Sequence, residues 1–141
     1  MKSGFRHLAR QIVLKALFWQ NSRQDQKREE IIAYLLENDD GRKLPNTDFA
    51  SQTFANVLEH QDVIDKIIGT YAPEWPLDQI AKVDLAILRL GVYELLYGED
   101  IPALVAINES VELAKEFGDQ SSFQFINGVL SQIAKEQNKI Q

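Results

Sequence analysis

Apolar positions recur every three or four residues along almost the whole chain, which is the spacing of amphipathic helices rather than strands. Phe5, Leu8 and Ala9, Ile12, Ala16 and Trp19 mark a first helix, on which Arg6 and Arg10 stand one turn apart and share a face. A second helix is predicted over 25–37, with Ile31, Ile32, Tyr34, Leu35 and Leu36 as its buried set. Residues 38–46 (NDDGRKLPN) are the clearest loop. From Asp48 to about Tyr71 the apolar set is Phe49, Phe54, Val57, Leu58, Val63, Ile64, Ile67 and Ile68, on one bent helix or two. Pro73 and Pro76 end that run, because proline has no N–H to give a helix interior.

Leu77 to Tyr97 is apolar on nearly all sides; between Val83 and Tyr97 only Asp84, Arg89 and Glu94 are charged, so this is predicted to be the central helix. Asp100 and Pro102 open a further helix with Leu104, Ile107, Val111 and Ala114 at core spacing and Gly118 as its stop. Ser121 to Gln124 has the pattern of a capping box ahead of a last helix carrying Phe125, Ile126, Val129, Leu130 and Ile133. Within it, Asn127-Gly128 would ordinarily signal a turn. The apolar spacing continues across the pair, so Gly128 is expected to allow two helices to approach closely. No alternation of period two and no internal repeat is present. The expected fold is all-α, one domain of about seven helices spanning residues 1–141.

Composition narrows the chemistry. The 141 residues contain no cysteine and two histidines, His7 and His60, which excludes disulfides and thiolate chemistry and leaves little for a histidine centre. Glu59, His60, Asp62 and Asp65 cluster in sequence, but Asp62 lies about 200° around a helix from His60, so a solvated face is expected there rather than a metal site. Glu109, Glu112 and Glu116 share a face beside Lys115 and read as a surface stripe. No glycine-rich phosphate loop or nucleophile elbow occurs. The protein is therefore expected to be no enzyme and to need no cofactor. No apolar run has the length of a membrane span and no signal-peptide block opens the chain, so a cytoplasmic location is expected.

Net charge is −6, yet its distribution is uneven. Residues 1–24 hold Lys2, Arg6, Arg10, Lys15 and Arg23 without a single Asp or Glu, so all 21 acidic side chains come later. A basic arm on an acidic body fits local capture of a polyanion. Lys2, Arg6, His7 and Arg10 are the candidate phosphate contacts, and Phe18 and Phe125 are candidate stacking surfaces for unpaired bases.

Three segments carry a family resemblance: VDLAILRLGVYELLY at 83–97, DIPALVAINESVELAKEFG at 100–118 and SSFQFINGVL at 121–130. With ARQIVLKALF at 9–18 and the His60 to Asp65 stretch, they make the chain similar to the NusB family of bacterial transcription antitermination factors over nearly its whole length, with only 20–50 poorly matched. That resemblance implies two three-helix bundles packed across each other. It also implies a role in antitermination on ribosomal RNA operons: with NusE, a small-subunit ribosomal protein, binding of the single-stranded boxA element of nascent RNA, and assembly on RNA polymerase. Arg6, Arg10 and Phe125 match positions it implies for RNA and join Lys2, His7 and Gln124 in the expected RNA-binding set, with Phe18 and Asp84 expected for the partner. Here His7 and Leu8 stand where the family often has further arginines, Phe18 replaces a usual tyrosine, and Gln124 replaces a usual lysine. Arg89 is expected to form an internal ion pair. A homodimeric interaction module with weak or no RNA binding is the alternative reading, and the absence of a methyl-donor domain before Gln141 argues against the RNA methyltransferases that carry a similar domain.

Overall fold

Runs of Leu, Ile and Ala at helical spacing, broken by Pro and Gly, leave the backbone few ways to bury its apolar side chains other than on packed helices. The computed structural model describes residues 2–38 and 44–137. Among them are seven α-helices, one short 3-10 turn and no strand. The helices are α1 (Lys2–Ser22), α2 (Arg28–Asn38), α3 (Asp48–Glu59), α4 (Gln61–Tyr71), α5 (Lys82–Tyr97), α6 (Ala103–Phe117) and α7 (Ser122–Glu136), with the 3-10 turn at Leu77–Gln79. None is long and apolar enough to cross a membrane. The chain divides into two compact units, Met1–Glu59 and His60–Gln141.

In the first unit α1 packs against both α2 and α3. Its core is Leu8, Ile12, Val13, Leu17, Ile31, Phe54 and Val57, each almost wholly withdrawn from water. Burying side chains of this size contributes about 1.5–3 kcal/mol apiece. Two expected core residues are outside it: Phe5 and Tyr34 are exposed. Tyr34 instead lays its ring edge-on to Trp19, centroids 5.6 Å apart, while Trp19 Nε1–H donates to Gln26 Oε1 at 3.1 Å. α3 begins where Asn46 Oδ1 accepts from the Asp48 N–H at 2.8 Å, satisfying an orphan donor of the first turn. Of the 38–46 loop, residues 39–43 lie outside the described set.

The second unit is built on α5, which contacts α4, α6 and α7. Every residue from Asp84 to Val92 is buried, as an all-round apolar helix requires. The unit has four α-helices and a 3-10 turn, which with the three of the first unit make the seven helices expected, among the described residues. The stretch from Asp48 to Tyr71 resolves into two helices, α3 and α4, separated at His60. Trp75, between the prolines, is exposed. Leu104 was expected in the core but is 59% exposed, because Ala106, Ile107, Ser110, Leu113 and Ala114 form the buried stripe of α6. Gly118 closes α6; a Cβ there would sit 2.5 Å from Ser122 Oγ, so the α6–α7 corner requires glycine.

The capping box is not what starts α7. Ser121 occupies the cap position in helical backbone geometry without a side-chain cap bond. The carboxylate of Asp119 does the work: its Oδ1 accepts from the Ser121 N–H (2.9 Å), the Ser121 hydroxyl (3.0 Å) and the Ser122 hydroxyl (3.2 Å). Ser122 Oγ in turn accepts from the Asp119 N–H at 3.0 Å. Gly128 also departs from expectation. A Cβ there would meet nothing within 4 Å, so this glycine mediates no close helix contact.

Candidate nucleic-acid interface

The basic residues of α1 are set by helical geometry. Four residues advance a helix by about 400°, so Arg10 lies some 40° around from Arg6 rather than directly above it. That offset separates their environments. Arg6 is exposed, whereas Arg10 is 3% exposed and belongs to the buried side of α1. Both flank one ring, that of Phe49 in the first turn of α3: the Arg6 guanidinium carbon lies 4.1 Å from its centroid and that of Arg10 5.4 Å. Arg10, expected as an outward phosphate contact, is thus corrected to a buried cation beside an aromatic face. His7 is half-buried, and the side chain of Lys2 lies outside the described residues. Phe18, 39% exposed near the end of α1, remains accessible.

The other expected residues lie in the second unit. Gln124 is exposed and Phe125 half-buried in the first turns of α7. Lys115 of α6 is 5.4 Å from the ring of Phe123, with its ammonium 3.9 Å from Glu112 Oε2. Asp84, expected on a partner-facing surface, is 8% exposed, because α5 is wrapped by its three neighbours. Its Oδ1 is buried without a hydrogen-bond partner. Burial pushes the Asp84 carboxyl above the ordinary carboxylate value; the Ser122 hydroxyl opposes this, and the charge of Asp119 adds to it. Asp119 is held below its ordinary value, chiefly by the Ser121 N–H and then the Ser121 hydroxyl.

The two carboxyls therefore respond to pH with opposite sign. Asp84 has a raised folded value, so the stability it contributes is complete below the unfolded carboxylate value and fades as pH rises through the folded one. Asp119 has a lowered folded value, so its contribution is present above the unfolded value and is lost as pH falls through the folded one. Asp84→Asn, which is neutral throughout, is expected to remove the decline that sets in as pH rises from the unfolded carboxylate value through the raised folded one. Urea unfolding curves taken from about pH 4 to 8 should show the gain over the parent growing with pH.

Two further clusters lie in the second unit. Arg89 forms the expected internal ion pair, and its partner is Asp65 of α4, joined in a two-pronged contact: Nε to Oδ1 and Nη2 to Oδ2, each 2.9 Å. His60 lies tilted by 34° against Tyr97 with centroids 4.1 Å apart, and Tyr97 stacks on Tyr93 at 5.7 Å. His60 and Asp65, grouped in sequence, thus engage different neighbours. Phe49 was read only as an apolar helix residue; its position directly after the Asn46-to-Asp48 helix start was the available signal that it stands at a rim.

An all-helical protein of two small units, with an arginine over an aromatic ring at one helix face, is the class that fold and site define. The chain matches the NusB family model over residues 7–135. It is 46% identical over 132 residues to the transcription antitermination protein NusB of Bacillus subtilis (strain 168), covering 93% of this chain and 95% of that protein. Identity is 40% over 130 residues to the same-named protein of Dehalococcoides mccartyi (strain CBDB1), covering 92% and 90%. Among solved structures, T. maritima NusB superimposes with a TM-score of 0.85 at 36% identity, covering 95% of each chain. A chain of the crystal structure of antitermination factors NusB and NusE in complex with dsRNA gives 0.83 at 26% identity, covering 94% of this chain and 97% of that one. The chain belongs to the NusB family.

Proposed function

We propose that this protein is an RNA-binding transcription antitermination factor that, with NusE, binds the boxA element of nascent ribosomal RNA transcripts and assembles on RNA polymerase. Its work is recruitment, carried out in the cytoplasm and without catalysis: two modest surfaces act as one composite site through effective concentration. Family membership along nearly the whole chain supports the reading, as does the likeness to a NusB chain solved with NusE and RNA. The observation that carries it on this chain is the exposed Arg6 guanidinium, within an N-terminal stretch devoid of acidic residues. Lys2, His7, Gln124 and Phe125 complete the RNA-contacting set in this reading, and Phe18 serves the partner. The buried Arg10 and Asp84 support these surfaces from within.

The test is a titration of single-stranded boxA-like RNA, with and without NusE, at several salt concentrations. NusE is expected to raise affinity, and log K to fall linearly with log salt. Arg6→Ala should weaken binding and make the slope shallower by about 0.7, the contribution of one phosphate contact on a single strand. Absence of binding in both arms, with self-association seen by light scattering, would instead establish a homodimeric interaction module.

A further inference from the structure

We propose that Phe49 is a positioning residue for RNA binding: its ring holds the Arg6 guanidinium in place for an RNA phosphate. The inference rests on the RNA-binding reading above and adds to it a residue on a different helix. At 4.1 Å from the ring centroid, the Arg6 guanidinium carbon is at stacking distance, well inside the roughly 6 Å over which a cation is attracted to an aromatic face. The attraction is between the cationic centre and the ring face, and the N–H donors take no part in it. All five donors lie in the guanidinium plane and stay available to phosphate oxygens. The contact therefore fixes the cation without consuming what RNA would use.

Arginine is a long, rotamer-rich side chain, and an exposed one must be ordered at the moment of binding. Holding it beforehand on a ring lowers that cost. The ring itself is well anchored. It sits in the first turn of α3, whose start is secured by the Asn46-to-Asp48 bond, and Arg10, almost fully buried, lies 5.4 Å from the same centroid. Phe49 is not part of the buried stripe of α3, which is Ala50, Thr53, Phe54 and Val57. Its half-buried ring is placed for the arginines more than for the core.

The experiment is a double-mutant cycle, read by fluorescence anisotropy with a labelled single-stranded boxA-like RNA in the presence of NusE. Phe49→Leu keeps apolar bulk and removes the aromatic face. It should weaken binding about two- to five-fold, the range of an exposed cation–π contact. Phe49→Tyr should restore parental affinity. In an Arg6→Gln background, Phe49→Leu should have no further effect. In the parent protein, the Arg6 Nε–H proton should carry an upfield ring-current shift in NMR spectra and move when RNA is added, a readout independent of whether any variant folds. Parental affinity in Phe49→Leu alongside weakened binding in Arg6→Gln would overturn the positioning role while leaving the RNA-binding reading intact. Additive losses in the double variant, or an unshifted Arg6 proton, would also overturn it. Failure of the parent to bind RNA at all would remove the underlying reading itself.

Discussion

Asp65→Ala is expected to destabilise the second unit by about 1–3 kcal/mol, the cost of taking the carboxylate from a partly buried ion pair. Arg89 lies among buried residues of α5, and its guanidinium meets both carboxylate oxygens of Asp65 at 2.9 Å. Such paired bonds satisfy the planar donor fork of arginine. Without Asp65 the charge stays in its low-dielectric setting, since arginine cannot shed its proton. Truncation therefore costs more than the modest net worth of the pair, because the two donors that met Asp65 lose their acceptors. Replacing both members with apolar residues of similar size, as in Asp65→Leu with Arg89→Met, should recover most of the loss. Urea denaturation of the single and double variants measures both effects; similar losses in the two would contradict the explanation.

Gly91→Ala should lower stability by about 1–3 kcal/mol, whereas Gly128→Ala should raise it by up to about 1 kcal/mol. Both glycines lie inside helices, where alanine is intrinsically favoured by about that last amount. Their surroundings differ. A Cβ on Gly91 would come 2.7 Å from Ser110 Oγ and 2.8 Å from Leu130 Cδ1, both buried side chains on α6 and α7. Neither can withdraw without disturbing the packing around α5, so overpacking outweighs propensity. Gly128 faces open space, and only the propensity gain remains. Thermal melts of the two variants should shift in opposite directions.

The contrast between these glycines shows where the sequence was legible. Gly91 sits in a helix whose all-round apolar pattern correctly marked it as central, because burial on every side leaves a mark at each position. Gly128 was read as a close-packing residue from its apolar neighbours alone, yet spacing says nothing of what stands opposite a Cα. Arg10 was misplaced for a related reason: one turn apart, Arg6 and Arg10 share a helix face by spacing, and spacing does not reveal that Arg10 is buried beside the ring of Phe49 on another helix. Tyr34 and Leu104 are apolar but exposed, as many such residues are in folded proteins. For α7, a hydroxyl followed by glutamine matched a known cap, but a carboxylate two positions earlier has stronger acceptor oxygens and took the donors. The family resemblance was legible because VAINE and FINGVL are runs, whereas the individual contacts depend on pairs far apart in the chain.

The two indoles, Trp19 and Trp75, fall one to each unit, and their settings are unlike. Trp19 is half-buried, hydrogen-bonded and edge-on to Tyr34, while Trp75 is already open to water. Intrinsic emission therefore carries a built-in address: a red shift on denaturation reports almost entirely on loosening around Trp19. With Trp75→Phe the protein becomes a single-fluorophore sensor of its N-terminal half, against which far-ultraviolet dichroism, dominated by the longer C-terminal half, can be compared to ask whether both halves melt together.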